Sequence, residues 1–332
     1  MAKPFDILIE GAGIIGLSAA EALSRRGLSV AVADPDPDPV SASWAAAGML
    51  APLAEWLEHG DGSVYELAGL LAARAVWDAF SARIEAETGE GVGFNPGPSI
   101  FLGPVTGVPD RYRDLLSPLP GALRKHLSAD ISAPHLIHCD GQVDNRRALQ
   151  AVRNLLRARA VSFVREPPEA RFVIAARGWR SEGVEPVKGE AIALAPQPSH
   201  PDCVVRFPGG YIVPKADRTV IGATSVPGRR DFDVAPGAPE RLRAQASEVW
   251  PGVREGELIE TWAGLRPRPV AGRPFISRLS ETRFSAGGHF RNGILLAPLT
   301  AETLAAEICG EPAPEGAGLF DTDTTVHTGS TG

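Results

Sequence analysis

The segment that most constrains this chain is Gly11-Ala12-Gly13-Ile14-Ile15-Gly16 together with its flanks. The apolar run Ile7, Leu8, Ile9 leads into it, and a helical pattern follows through Arg26. Gly27 stops the helix, a second apolar run (Leu28, Val30, Val32) begins, and Asp34 closes it. The order strand, glycine turn, helix, strand, acid predicts a dinucleotide-binding βαβ unit. Gly11 permits the sharp turn, Gly13 lets a pyrophosphate approach the backbone, and Gly16 lets the helix pack against the strand. The helix N-terminus presents unpaired N–H groups and a partial positive charge to the phosphates. Asp34 is placed to accept hydrogen bonds from ribose hydroxyls. The turn alone does not separate one dinucleotide from another, NAD included, and an ordinary glycine turn in an α/β protein is the plainer alternative. Glu10 breaks the apolar pattern of the first strand, and a carboxylate buried there needs a partner.

The chain has 332 residues, more than one such unit needs, which predicts a second domain or a large insertion. A net charge of −7 argues against a nucleic-acid partner. The uncharged stretch 39–54 contains two prolines and two serines and is too short and broken to span a bilayer. The N-terminus has no apolar run of the kind a signal peptide carries. Cys139, Cys203 and Cys309 are widely separated, with neither a disulfide framework nor zinc spacing. These features predict a reduced, cytoplasmic setting without membrane attachment or a metal.

Residues 34–40 (DPDPDPV) read as a rigid exposed turn, and 64–87 as one long amphipathic helix. A short strand is expected at 99–102 and a helix at 144–160 capped by Asp144. A strand is expected at 171–176, followed by antiparallel strands within 187–224. Helices are expected at 239–250 and 298–309, with a strand at 282–286. The tail from Gly310, rich in Gly, Thr, Pro and Ser, reads as disordered. Parallel-type elements at both ends enclose an antiparallel block. The expected fold class is therefore α/β and bilobed: a discontinuous Rossmann-like nucleotide domain with an inserted antiparallel-sheet substrate domain.

A second informative segment, 287–298 (GGHFRNGILLAP), is a strand end, a glycine turn and a helix start, whose backbone N–H groups could meet an anionic ring edge or a phosphate; a plain surface turn is the equal alternative. With it come, in order, SASWAAAGMLAP at 41–52, VKGE at 187–190, GYIVP at 210–214, GAT at 222–224 and WAGLRP at 262–267. Together these motifs resemble the FAD-dependent D-amino-acid oxidase family, and within it the glycine oxidases of thiamine biosynthesis, over residues 5–309. AAAGMLAP and GHFRNGILLAP are far more specific than the glycine turn.

The resemblance implies FAD as cofactor and oxidation of the amine of glycine, sarcosine or a small D-amino acid by O2; a dehydrogenase of different substrate, or a flavin-binding member lacking oxidase activity, is the alternative. It implies an FAD-binding domain made of 1–83, 135–184 and 262–309, and a substrate domain made of 84–134 and 185–261, with 310–332 as the tail. It further implies that Gly11, Gly13, Ile14, Ile15 and Gly16 hold the pyrophosphate and that Asp34 binds the ribose. Ser43, Ala47, Gly48 and Met49 would line the phosphates and the flavin ring. His289, Phe290, Arg291, Asn292, Gly293, Ile294 and Leu295 would wrap the ring, and Val164 would meet the adenine. Arg266 would clamp the substrate carboxylate, with Tyr211 and Arg291 beside it. A homo-oligomer is expected from the relatives.

Arg266 also makes chemical sense by itself, because a guanidinium binds a carboxylate through two parallel N–H bonds. Outside its motif it would read as a structural arginine, and Tyr211 as half-buried packing. His135 and His138 have metal-like spacing without acidic or cysteine company and read as a surface turn. Trp44 and Trp262 read as packing, and Arg153, Arg157 and Arg159 as a solvated helix face. The chain departs from the family pattern at Glu10, at AARG (175–178), at Lys215, and at the small residues Gly209 and Ser225. Residues 161–171 are too few for the small β-meander that usually follows this helix.

Overall fold

A computed structural model describes residues 4–34, 41–60 and 62–322. The opening βαβ unit forms as expected. The strand Phe5–Glu10 leads through the glycine turn into the helix Ile14–Arg25 and on to the strand Val30–Ala33. The two strands pair in parallel, Ile7 opposite Val30 and Glu10 opposite Ala33. They sit inside a six-stranded sheet ordered Phe275–Arg278, Arg283–Gly287, Ala170–Ala175, Phe5–Glu10, Val30–Ala33, Ser162–Val164. All neighbours are parallel except the first pair. Helices cover one face because Ile7, Ile9, Val30 and Val32 point there and join Leu17, Leu23, Trp77, Phe80 and Leu155 in the largest core cluster. The expected proline-rich turn, 35–40, lies outside the described residues.

The second sheet is mainly antiparallel and takes its strands from the middle of the chain. Its longest strands, Val184–Leu194 and Leu258–Pro269, pair along their whole length, Val187 opposite Arg266 and Gly189 opposite Gly264. Because Leu258–Pro269 belongs wholly to this sheet, a boundary drawn at residue 262 falls inside a strand. The strand His135–Ile137 also belongs here, so His135 is a sheet residue rather than part of a surface turn. His138 Nε2 lies 2.9 Å from Ser117 Oγ.

Three further expectations are corrected. The last long helix is Gly293–Cys309 and contains Pro298, where the sequence pattern placed its start. Proline has no N–H for the carbonyl four residues back. That carbonyl, on Ile294, instead accepts the indole Nε1–H of the fully buried Trp77 at 3.1 Å, shared with Leu295 O. Residues 310–322 are ordered against the body. Leu319 and Phe320 are buried, and Asp321 extends the sheet through backbone bonds with Pro274 and Ile276. Glu311 also pairs with Arg26 at 2.7 Å; residues 323–332 lie outside the described residues. Of the arginine face on the helix Asn145–Ala158 and its end, Arg157 is exposed as expected, whereas Arg153 and Arg159 are engaged. Arg153 donates to Ala12 O at 3.2 Å, and Arg159 pairs with Glu87 and with the buried Glu21.

Among the described residues, no helix is long and apolar enough to cross a membrane. The 165–169 segment links Ser162–Val164 directly to Ala170–Ala175 without any intervening strand.

Candidate active site

The glycine turn is built by close approach. A Cβ on Gly16 would stand 2.0 Å from Gly11 O, and one on Gly11, at φ 121°, would stand 2.4 Å from Ala176 O. Only hydrogen fits at either place, so the helix N-terminus lies directly against the ends of two strands. Asp34 accepts a hydrogen bond from Ala12 N at 2.6 Å, which fixes its carboxylate beside the turn. Ile14 N donates to Ser43 Oγ at 3.0 Å and ties segment 41–49 to the turn. Asn145 Nδ2 donates to the carbonyls of Ser43 and Trp44, and Trp262 Nε1 donates to Ala45 O at 2.9 Å. Trp44, Trp262 and Asn145 thus hold the segment that carries Ala47, Gly48 and Met49. Lys215, on the far side of Gly48, donates to Val143 O and Gln142 Oε1.

The turn and the 41–49 segment border one cavity of about 850 Å³, near the upper end of the ~300–1,000 Å³ usual for ligand sites. Gly11, Gly13, Ile14, Ile15, Asp34, Ser43, Ala47, Gly48 and Met49 line it on one side. His289, Phe290, Arg291, Gly293 and Ile294 line it on another, with Arg266 and Tyr211 at a third. Gly16, Asn292 and Leu295 do not face the cavity; Gly16 serves strand–helix packing, and Leu295 is buried in the core. Val164 packs on Leu8, Ala31 and Ala33, and its neighbours Arg165 and Pro167 reach the cavity instead.

Two helix N-termini, at Ile14 and at Gly293, open onto this cavity, so two positive dipole ends face its contents. The turn before the second is tight, with Gly288 at φ 70° and Phe290 at φ 48°. His289 points away from the cavity interior. Its Nε2 lies 3.0 Å from Thr300 Oγ1, which itself donates to Leu296 O, so the imidazole donates from Nε2. Burial pushes the His289 pKa down to about 3, which keeps the ring neutral and leaves it no acid–base part.

On the strand Leu258–Pro269, the Arg266 guanidinium lies flat on Gly189, where a Cβ would stand 2.2 Å from Nη2. It donates to Thr224 O at 3.1 Å and lies close enough to the Tyr211 hydroxyl to pull the phenol's pKa down. Tyr211 rests on Gly222, where a Cβ would stand 2.5 Å from its Oη. Glycines in VKGE and GAT are therefore the floor beneath an Arg–Tyr pair. Burial raises the Tyr211 pKa, and Arg266 partly offsets the shift, so the phenol remains a donor at neutral pH. Arg291 lies over the Phe290 ring at 5.0 Å with its pKa lowered by burial, then by Arg266 and Arg206, against the pull of Glu55.

Sequence reasoning missed a polar wall made by Glu55, Glu58 and His59 on the helix Pro52–His59 and by Arg206 on the strand Val204–Phe207. Arg206 is buried, and its Nη2 pairs with Glu55 at 3.0 Å and with Glu58. The i, i+3, i+4 spacing of Glu55, Glu58 and His59 next to AAAGMLAP was the available signal. An arginine within the apolar run CVVRF was the other.

The donor set fits FAD. Glycines that a Cβ would fill border the turn, an acid stands 23 residues after Gly11, and the cavity has room for a dinucleotide. The comparisons agree. The chain is 29% identical to glycine oxidase of Geobacillus kaustophilus across 92% of this chain and 93% of that one. It is 30% identical to the bifunctional protein ThiO/ThiG of Synechocystis, covering 90% of this chain and 51% of that longer protein. The crystal structure of the Geobacillus kaustophilus glycine oxidase superposes with a TM-score of 0.83 at 27% identity, over 93% of this chain and 95% of that one. Residues 6–307 match the DAO model, described as FAD dependent oxidoreductase, and the chain belongs to that family of FAD-dependent enzymes.

Proposed function

We propose that this FAD-dependent amino-acid oxidase oxidises glycine, and that the product serves thiazole formation in thiamine biosynthesis. The observation that carries the reading is the Arg266–Tyr211 pair in the cavity bordered by the dinucleotide turn. Relatives 29% identical over nearly their whole length are named glycine oxidases.

The residues that would hold FAD are Gly11, Gly13, Ile14 and Ile15 at the diphosphate, and Asp34 at the ribose. Ala47, Gly48, Met49 and the 289–294 turn would border the ring. FAD supplies the two-electron acceptor when bound. The protein's own work is binding and orientation. Arg266 takes the substrate carboxylate through paired N–H donors, and the Tyr211 hydroxyl adds a third. Anchored there, the α-carbon and amine are held in one orientation. The Nε2–H of neutral His289 is committed to Thr300, and its lowered pKa makes the ring a poor base, so the amine arrives deprotonated or loses its proton to solvent. The net reaction converts glycine, O2 and water to glyoxylate, ammonia and H2O2.

A second reading, a larger substrate such as sarcosine or D-alanine, is favoured by Gly209, Gly210, Ala223 and Ser225 in the cavity wall. Relative kcat/KM values from oxygen uptake on glycine, sarcosine and small D-amino acids decide between them. Highest values for glycine support the first reading, and no turnover of any by flavin-loaded protein overturns both. We further propose a cytoplasmic homo-oligomer, to be tested by light scattering and fractionation.

A further inference from the structure

The unexplained carboxylate of the first strand has partners, and one of them, Arg177, borders the cavity. Glu10 ends its strand opposite Ala175, and Glu10 O accepts from Ala176 N at 2.9 Å. Arg177 follows directly, and its Nη2 meets Glu10 Oε2 at 2.6 Å. Arg283, from the neighbouring strand, reaches the same oxygen at 3.1 Å. Two guanidiniums on one carboxylate leave the trio with one net positive charge. Its place is the glycine turn itself: Arg177 Cα lies 3.6 Å from where a Cβ on Gly11 would stand.

The two members differ in what they show. The Glu10 side chain is 17% exposed and that of Arg177 is 47% exposed. Both line the cavity beside Gly11 and Gly13. Among the described residues, the Arg177 guanidinium donates from Nη2 to Glu10, and its other N–H donors face the cavity side without a hydrogen-bond partner. A carboxylate beside a diphosphate site is unfavourable unless neutralised, and Arg283 alone already neutralises Glu10. The second arginine is surplus to that need, half-exposed, and held by one corner.

We propose that Arg177 is a further cofactor-binding residue, oriented by Glu10 through Nη2, whose remaining donors serve the anionic diphosphate of FAD. The backbone N–H groups of a glycine turn bind phosphate through partial charges; Arg177 adds a full charge with fork geometry. Glu10 is then the residue that aims a phosphate ligand.

This inference rests on the FAD reading, and the test separates the two. FAD dissociation constants are measured on the full chain by quenching of flavin fluorescence, with circular dichroism as the check on folding. Arg177→Ala is expected to raise the constant about tenfold or more, with the larger effect at low salt. Arg177→Gln, which keeps a donor for Glu10 but no charge, is expected to weaken binding similarly. The double variant Glu10→Gln/Arg177→Ala is expected to remain as weak as Arg177→Ala. Wild-type affinity in Arg177→Ala overturns the inference. So does its recovery in the double variant, which would reduce Arg177 to a counter-ion for Glu10. Failure of the unmodified chain to bind FAD would instead overturn the cofactor reading.

Discussion

Trp77 and Pro298 form a pair whose energetics follow from one missing N–H. Proline at 298 leaves Ile294 O without its helical donor, and the indole of Trp77 supplies a replacement from 217 residues away in sequence. Trp77→Phe removes that donor inside a buried helix–helix contact. An unpartnered buried carbonyl costs roughly 1–3 kcal/mol, and the smaller ring leaves a void worth about 1–2 kcal/mol. The expected loss is therefore about 2–5 kcal/mol. In a Pro298→Ala background the alanine N–H can bond Ile294 O directly, so only the packing loss of about 1–2 kcal/mol remains. The four proteins form a double-mutant cycle, read by urea unfolding at a fixed saturating FAD concentration. A coupling of about 1–3 kcal/mol is expected. Equal costs of Trp77→Phe in the two backgrounds would refute the claim that the indole stands in for the absent backbone donor.

Arg266→Ala should lower kcat/KM for glycine by about 30- to 4,000-fold, equivalent to ~2–5 kcal/mol for one lost partner of a desolvated pair, with FAD affinity unchanged. Steady-state kinetics beside a flavin titration checks it, and a proportional loss of flavin would make Arg266 a structural residue instead. His289 should make folding stability pH-dependent on the acid side. Its folded pKa, about 3, lies below the unfolded value of about 6.5, so only the unfolded chain binds the proton between those values. Stability is expected to be intact above pH ~6.5 and to fall as pH drops toward ~3. Unfolding midpoints of His289→Gln across that range should vary less steeply.

What the sequence revealed was local, and what it hid was distant. The strand–turn–helix at 5–25 was legible because each glycine answers to a neighbour within the same unit or beside it, such as Gly16 to Gly11 O. The Arg266–Tyr211 pair was legible through motifs, although its glycine floor, Gly189 and Gly222, lies on two other strands. Glu10 could not be understood alone, since its partners stand 167 and 273 residues away. Pro298 misled for the same reason: the group that lets it sit inside a helix comes from another helix. The segment 310–322 looked disordered because Leu319 and Phe320 are its only buried side chains, and composition averages over two residues. Arg206 gave its one signal as a charge in an apolar strand, and its ion pairs with Glu55 and Glu58 bridge about 150 residues.

The central claim is an FAD-bearing cavity with a carboxylate clamp for a small amino acid. Its most direct test is the absorption spectrum of the purified, flavin-loaded protein, recorded before and after anaerobic addition of glycine. The account predicts that the flavin bands bleach with glycine and return when air is admitted. Bands that persist with glycine, sarcosine and small D-amino acids alike would contradict it.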